Sequence, residues 1–299
     1  MAKTNTLLDP LAIQSGEALG LHARFVVEGY MAGEHKSPFR GFAVEFTQHR
    51  EYVPGDDTRH LDWKVLGRTD RYYLKQYEQE TNYVASILLD GSESMKYGSG
   101  SITKLQYGKV MAAILSYLIL HQRDAVSVGL FDTAVKGSIP RTGNLASVHN
   151  IMNMLAAFEP REQTNIAAVL HDVATQIRRK GIVILISDLF DDEEKILRGI
   201  QHLRFSGSEV IVFHTMDPFE LDFPFQGMVE FDGLENIPKI TTRPKDVRKS
   251  YLREVEAFRT RIREGCERNN VHYVLVNTGV AIHEVIAAYL AFRLRTTSR

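Results

Sequence analysis

Four short apolar runs in the middle of the chain constrain its fold more than any other feature. They cover Tyr83–Leu89, Ala125–Phe131, Ile182–Ser187 and Glu209–Thr215. They do not show the regular polar and apolar alternation of a strand with one face in water, and they are followed or separated by segments of helical spacing. This combination is typical of a parallel sheet that is buried on both faces. The sequence therefore predicts an α/β fold, doubly wound around a mostly parallel sheet.

The segments between and after these runs predict the helices that cover the sheet. Amphipathic helices are predicted over Leu145–Leu155 and Ile166–Ile177, where apolar residues recur every three or four positions. Lys104–His121 is apolar on nearly all sides, which predicts a central helix with little exposure. A last helix, strand and helix are predicted over 247–262, Val271–Val276 and Ile282–Leu294.

The chain changes character near Thr81, which predicts a second, smaller unit. Residues 1–81 are charged and rich in turns, and Val44/Phe46, Tyr52/Val53 and Tyr72–Tyr77 suggest short strands. Residues 216–245 break into short pieces rich in Pro and Phe. We expect a β-rich N-terminal segment over 1–81 that packs with the insertion 216–245, and a main domain over 82–299.

Composition excludes several classes of protein. Of the 299 residues, 44% are hydrophobic and 24% are charged, and the net charge of -1 argues against a general nucleic-acid binder. The single cysteine, Cys266, can form neither an intramolecular disulfide nor a Cys-based zinc site, so a cytoplasmic location is expected. The first residues do not resemble a secretory leader, and Val110–Leu120 is far shorter than the about 20 residues that span a bilayer. No membrane span is expected.

Polar residues at the ends of the predicted strands form a candidate metal site. Asp90, Ser92 and Ser94 follow the first strand, Thr164 precedes the helix over Ile166–Ile177, and Asp188 follows the third strand. The carboxyl ends of parallel strands are where ligands collect in open α/β sheets. A donor set made of oxygens suits Mg²⁺, with Mn²⁺ or Ca²⁺ as substitutes.

A simple turn is the alternative interpretation of this cluster. In it, Asp90 caps the turn and the two serines bond to nearby backbone amides. The placement of the residues at neighbouring strand ends favours the metal site. Asp90 and Asp188 at about 5 Å would repel each other by about 3 kcal/mol at an effective dielectric near 20, unless a cation lay between them. Asp132, at the end of the second strand, is a weaker candidate that is better interpreted as a turn cap.

The Asp90-x-Ser92-x-Ser94 pattern with Thr164 and Asp188 resembles the metal-ion-dependent adhesion site of von Willebrand factor A domains. The resemblance implies that Ser92, Ser94 and Thr164 bind the metal directly, that Asp90 and Asp188 act largely through water, and that a partner's carboxylate fills the open position. Two neighbours depart from the family's pattern, since Gln163 and Leu189 stand where glycine is common.

The N-terminal segment resembles a second family. Its motifs are Arg50-x-Tyr52-x-Pro54-Gly55-Asp56-Asp57-x-Arg59 and Asp62-Trp63-Lys64, and with Asp217-Pro218-x-Glu220 they are similar to the bacterial domain-of-unknown-function 58 family. This resemblance covers nearly the whole chain. It implies an adaptor that works beside a MoxR-type AAA+ ATPase in the assembly or maturation of client proteins. A client or ATPase that offers an acidic side chain is the implied partner.

Arginine and aspartate residues interleave around the predicted turn of the N-terminal segment. Four arginines meet four aspartates there: Arg50, Arg59, Arg68, Arg71, Asp56, Asp57, Asp62 and Asp70. We interpret them as an ion-pair network that holds this segment on the main domain. A docking surface for a partner or a phosphate is the alternative, given the fork geometry of arginine.

An enzyme of the haloacid-dehalogenase type is the main rival function. Asp90 would be its nucleophile, Asp188 with Asp191 or Asp192 its later acidic pair, and Lys180 its phosphate-binding lysine. That chemistry needs a carboxylate two residues after the nucleophile as general acid and base, and Ser92 cannot replace it. We therefore expect a binding module rather than an enzyme. A scaffold with a vestigial metal site is the third possibility.

Overall fold

The chain divides into two compact units, one within Phe39–Tyr83 and a larger one that contains Val84–Arg299. The computed structural model describes residues 45–51, 63–69, 71–78, 84–160, 166–177, 181–232 and 239–297. In the small unit, strands β1 (Glu45–Glu51) and β2 (Tyr73–Glu78) pair antiparallel, and helix α1 (Trp63–Thr69) lies between them in sequence. Tyr52, Val53 and the turn predicted at 54–57 lie outside the described residues. The packing of this unit with the insertion 216–245 stays a prediction.

A six-stranded sheet forms the centre of the large unit. Its strands, in chain order, are β3 (Val84–Asp90), β4 (Ala125–Phe131), β5 (Val135–Thr142), β6 (Ile182–Ser187), β7 (Glu209–Met216) and, last, β10 (His272–Asn277). Across the sheet the order is β10, β7, β6, β3, β4, β5. Neighbouring strands are parallel except for β5, which runs antiparallel to β4 at the edge. The sheet is therefore mostly parallel, as predicted.

Helices cover both faces of this sheet. The long ones are α2 (Lys104–His121), α3 (Val148–Ala157), α4 (Ile166–Gln176), α5 (Glu193–Phe205), α7 (Pro244–Arg268) and α8 (Ile282–Thr297), and a short helix α6 spans Pro218–Asp222. Alternate strand residues such as Leu88, Leu185 and Val212 form one core with side chains of α4, α5 and α7. A doubly wound α/β fold is thereby confirmed.

Helix α2 packs against the opposite face of the sheet. A Cβ atom on Gly108 would lie 2.7 Å from Leu89 Cδ1, so glycine lets the helix approach β3 closely. Residues 104 to 120 of this helix are buried except for Gln106, which is partly exposed, and this confirms the predicted central helix. Thr103 begins it with a capping box, because its side chain accepts from Gln106 N while the Gln106 side chain accepts from Thr103 N.

The insertion between β7 and α7 is more ordered than its sequence suggests. No helical period is visible there, yet α6 begins at a capping box formed by Asp217 and Glu220. Strands β8 (Val229–Phe231) and β9 (Ile240–Thr242) then pair as a small hairpin. The Phe223 ring lies 5.7 Å from Phe231 and 4.4 Å from Tyr251, measured between ring centroids. An aromatic cluster thus fixes the insertion on α7.

Among the described residues, no helix is both long and apolar enough to cross a membrane.

Candidate functional site

Two carboxylates meet at the carboxyl edge of the sheet. Asp90 is the last residue of β3 and Asp188 follows β6, and these strands are parallel neighbours with Leu89 opposite Ile186. The two residues are buried, with 0% and 5% of their surface exposed. Burial raises the pKa of Asp90 to about 7, and the nearby charge of Asp188 adds to this rise.

The loop after β3 carries the two predicted serine ligands to the same place. Ser92 N donates to Asp90 Oδ1 at 2.9 Å, and the hydroxyls of Ser92 and Ser94 lie 2.9 Å apart. A hydrogen bond from Ser94 to Asp188 helps to lower the pKa of Asp188. Four of the five predicted site residues are therefore together. Asp90 does cap a turn, as the alternative interpretation expected, but the two hydroxyls face each other.

The fifth predicted ligand, Thr164, lies outside the described residues. Helix α4 begins two positions later, at Ile166, whose backbone N–H donates to Asp191 Oδ2 at 3.2 Å. This bond joins the start of α4 to the loop that follows Asp188. The role of Thr164 stays a prediction.

Ser187 is a site residue that the sequence reasoning missed. Its hydroxyl donates to Asp90 Oδ2 at 2.6 Å and accepts from Leu189 N at 2.9 Å. A polar residue that closes an apolar strand directly before Asp188 was the available signal. Ser187 holds the second oxygen of Asp90 and orients the loop beyond β6.

Lys104 is the second missed residue, and it changes the charge of the site. Its ammonium lies 2.7 Å from Asp188 Oδ2 and 2.7 Å from Glu220 Oε1, with 3% of the side chain exposed. Burial alone would lower the pKa of Lys104, but the two carboxylates raise it above its usual range. Burial would likewise raise the pKa of Asp188, and Lys104 brings it below its usual value. Asp188 is thus a charged carboxylate with a resident cation.

Glu220 connects this cluster to the insertion. Its other oxygen, Oε2, accepts from Asp217 N at 2.8 Å, and Asp217 Oδ2 accepts from Ser99 N at 2.9 Å. The Asp217-Pro218-x-Glu220 motif therefore begins α6 and also reaches both the loop after β3 and Lys104. No pattern within the motif predicts a lysine more than a hundred residues earlier as its partner.

The backbone after Asp188 adopts the conformation that glycine favours. Leu189 has φ 56°, in the left-handed region, which costs an L-residue on the order of 1–2 kcal/mol. The Leu189 side chain is fully buried in the core shared by α4 and α5, and its backbone N–H is bonded to Ser187. Core packing and this hydrogen bond offset the backbone cost, so leucine is accommodated at this position.

Other residues considered from the sequence have structural partners of their own. Asp192 accepts from Lys195 N and caps α5, while Asp132 accepts from Ala134 N and lies 3.4 Å from Lys136 Nζ. Asp132 is thus a turn cap, as expected. Lys180, which the phosphohydrolase interpretation requires, lies outside the described residues.

Most of the arginine and aspartate motif of the N-terminal segment also lies outside them. Positions 56, 57, 59, 62 and 70 are not described, and of Arg50 only the backbone strand is. Arg68 and Arg71 are exposed. The predicted ion-pair network and its docking alternative both stay predictions.

The donor set of the site fits a hard divalent cation. In the described part of the chain, no three His, Cys, Asp or Glu side chains are grouped so that they could hold a metal. Any site here must therefore use hydroxyls, and Ser92 and Ser94 supply two beside the Asp90 carboxylate. Oxygen donors of this type match Mg²⁺. Lys104 balances Asp188 and leaves Asp90 without a cationic partner of its own at hydrogen-bond distance among the described residues.

Comparisons with known proteins agree with this architecture. The family model described as "Protein of unknown function DUF58" matches residues 48–261. Uncharacterized protein Rv1480 of Mycobacterium tuberculosis is 24% identical over 237 residues, which is 76% of this chain and 72% of the relative. The conserved hypothetical protein BatB from Bacteroides thetaiotaomicron has a TM-score of 0.50 at 17% identity, over 71% of this chain and 99% of BatB.

The SpRpn10 VWA domain is also similar, with a TM-score of 0.40 at 12% identity, over 69% of this chain and 94% of that domain. The likeness to BatB, together with the sheet order, supports the doubly wound α/β fold with a mostly parallel sheet.

Proposed function

The chain belongs to the DUF58 family of proteins of unknown function, and from the polar cluster at the carboxyl edge of its sheet we propose that its large unit is a protein-interaction module that depends on Mg²⁺. The observation that carries the proposal is the meeting of Asp90, Ser92, Ser94 and Asp188 at one edge of the sheet. Bound there, the cation would supply positive charge and an open coordination position for a partner's carboxylate.

The residues of the chain would divide the work. Ser92, Ser94 and Thr164 would hold the cation directly, and Asp90 and Asp188 would anchor it, largely through water. Ser187 keeps one oxygen of Asp90 occupied, which leaves fewer orientations for that carboxylate. Lys104 donates to Asp188 Oδ2 at 2.7 Å and so holds that carboxylate in place.

Calorimetric titration of chelator-treated protein with Mg²⁺ and Mn²⁺ tests the site. We expect one cation per chain, lost in Ser92→Ala/Ser94→Ala and weakened in Thr164→Ala. Ser99→Ala is the matched control, because Ser99 lies on the same loop but uses its backbone N–H. Identical titrations of wild type and the double variant would show that these residues form a turn and do not bind the cation.

We propose a MoxR-type AAA+ ATPase or its client as the partner, and the family membership motivates this choice. Capture of the ATPase on immobilised protein should weaken about 5- to 150-fold when Mg²⁺ is removed, the range of typical coupling energies. Thr164→Ala should reproduce the loss without unfolding the chain. Binding that survives chelation but disappears in a folded Arg59→Ala variant would place the interface on the N-terminal segment instead.

We propose further that the module is not an enzyme. Ser92 stands two residues after Asp90, where a phosphohydrolase needs a general acid and base, and an unperturbed hydroxyl does not ionise near neutral pH and so cannot fill that role. Phosphatase activity on generic phosphomonoesters should therefore not exceed that of Asp90→Asn. Turnover that requires both Asp90 and Mg²⁺ would overturn this part of the proposal.

A further inference from the structure

A cleft of about 660 Å³ opens beside the candidate metal site, and the metal proposal does not use it. It lies between the loop after β6, the end of β7, helix α6 and the first half of α7. Its walls combine carboxylates with aromatic rings. The size is that of a cleft that takes a small molecule or one large side chain.

Negative charge dominates the cleft. Five carboxylates line it, those of Asp188, Asp191, Glu193, Glu220 and Glu254, against the single ammonium of Lys104. Two guanidiniums approach the rim from outside, since Arg261 lies 2.6 Å from Glu193 and the exposed Arg253 lies 3.3 Å from Glu254. With both counted, five carboxylates face three cations. Arg259, which acts on His214, pairs with Glu256 at 2.9 Å and adds one charge of each sign, so carboxylates still outnumber cations by two. The charge that complements this cleft is positive.

Aromatic rings give the cleft a second property. Phe190, in the loop after Asp188, is 57% exposed at the rim, and Phe258 of α7 lines the wall. An exposed ring beside carboxylates binds a flat cation through its face, and arginine does so more often than lysine. The aliphatic part of an arginine side chain would meanwhile cover Met216 and Val255, which also line the cleft.

The floor of the cleft contains a polar atom without a well-placed hydrogen-bond partner among the described residues. His214 is 0% exposed, and its Nδ1 lies 2.7 Å from Tyr273 Oη. Its Nε2 is buried and forms no hydrogen bond of good geometry with the described residues, while the Asp188 backbone and the Arg259 guanidinium both act on the ring. When Nδ1 carries the ring hydrogen and donates it to Tyr273, Nε2 presents a lone pair that an N–H donor can use. A guanidinium consists of such donors.

We infer that this cleft binds an arginine side chain of a partner protein, between the carboxylates of Asp191 and Glu254 and against the ring of Phe190. The inference extends the proposed function by giving the partner a second contact beside the metal-bound carboxylate. Arginine binding in the cleft does not require the cation, so the two can be tested separately.

Nα-acetyl-arginine N-methylamide is the probe, and its citrulline analogue is the neutral control of nearly the same shape. Binding is followed in the ¹H–¹³C spectrum of methyl-labelled methionines, of which the chain has eight. Met216 lines the cleft and Met228, 68% exposed, does not. We expect the arginine probe to shift the Met216 signal in a saturable way, and the citrulline probe to bind at least about fivefold more weakly.

Two matched pairs of variants locate the contact. Glu254→Gln should weaken arginine binding about twofold to fivefold, whereas Glu264→Gln, an equal charge change on the same helix, should not. Phe190→Ala should weaken it similarly, and Phe205→Ala, which removes an exposed ring elsewhere, should not. These four positions are at the surface or partly exposed, so the variants should fold.

The outcomes separate this inference from the metal proposal. Arginine binding that is equal in chelator, in Mg²⁺ and in Ser92→Ala/Ser94→Ala supports the cleft whatever the metal titrations give. Equal shifts from arginine and citrulline, equal movement of Met216 and Met228, or equal affinities of Glu254→Gln and Glu264→Gln would each overturn it.

Discussion

Asp90 and Asp188 lie at the ends of adjacent strands and are similarly buried, yet their surroundings set their charges in opposite directions. Asp90 accepts hydrogen bonds from the neutral groups of Ser92 and Ser187, and burial raises its pKa to about 7. Asp188 contacts the ammonium of Lys104, which brings its pKa below the usual range. The charge of Asp188 is therefore balanced by a lysine of the same chain. Among the described residues Asp90 has no such partner in contact, so an external cation would bring the larger gain in electrostatic free energy beside Asp90.

The largest expected effect comes from removing the resident cation. Lys104→Met would leave the buried Asp188 and the partly exposed Glu220 without their positive partner, and breaking a buried pair on one side costs about 3–5 kcal/mol. Urea unfolding at pH 7 in chelator measures this loss. Lys96→Met is the control, because the exposed Lys96 pairs with Glu93 at 3.2 Å, and the variant should lose at most about 1 kcal/mol.

Unfolding of Lys104→Met in the presence of Mg²⁺ is a second test of the same comparison. If the cation binds beside Asp188, it should stabilise Lys104→Met more than wild type, because it supplies the missing positive charge. A Lys104→Met variant that is as stable as Lys96→Met would show that the two carboxylates do not differ as described.

The pH dependence of stability distinguishes the two carboxylates next. A folded pKa near 7 against an ordinary 3.8 means that folded Asp90 holds a proton that the unfolded chain releases. The contribution of Asp90 to stability is therefore full below about pH 4 and decreases until about pH 7. Asp188, with a lowered pKa, acts in the opposite sense and only below about pH 4.

Asp90→Asn isolates this contribution from those of His214 and Asp124, which also titrate abnormally, with pKa values of about 4 and about 7. In chelator, the free energy of unfolding of the variant relative to wild type should rise between pH 4 and pH 7 by on the order of 2–4 kcal/mol. Mg²⁺ should reduce this rise, because it favours the charged form of Asp90. A difference that does not change with pH would contradict the raised pKa.

Ser187→Ala tests the neutral side of the comparison with a smaller change. It would leave both Asp90 Oδ2 and Leu189 N without the partner they now have, at a cost of about 1–3 kcal/mol. Ser116→Ala is the matched control, since that buried hydroxyl donates to Ala112 O within α2 and its loss should cost less. Equal losses in thermal or urea unfolding would mean that Ser187 does not support Asp90.

The sequence was informative where burial alone decides the structure and less so where partners lie far apart along the chain. Ile182–Ser187 is buried at every position, so its apolar run predicted β6 with both boundaries. Strand β5 was missed, because Val135–Thr142 is mostly exposed, contains Pro140 and pairs on one side only. The apolar runs predicted the central strands, but an exposed edge strand has no such signal.

The same contrast holds within the candidate site. Asp90, Ser92 and Ser94 could be found together because they share one loop, and Asp188 because parallel strands end at one edge. Lys104 could not, since its position in α2 gives no indication that its ammonium reaches carboxylates 84 and 116 residues away. Ser187 could be placed at the edge, but only the geometry shows which oxygen of Asp90 it reaches.

The smallest effect is expected at the third carboxylate, Glu220. Glu220→Gln keeps one acceptor oxygen, for either Lys104 or Asp217 N, and turns the other oxygen into an amide NH₂ group, while Asp188 remains as the charged partner of Lys104. Burial raises the pKa of Glu220, so its charge is less favourable there than the charge of Asp188. Removing it should cost about 1 kcal/mol or less in urea unfolding at pH 7. Glu230→Gln, which weakens an exposed pair with Lys239, is the control. A loss of stability as large as that in Lys104→Met would mean that Lys104 is stabilised mainly by Glu220 rather than by Asp188. The Lys104 ammonium would then be a partner of the insertion more than of the candidate site.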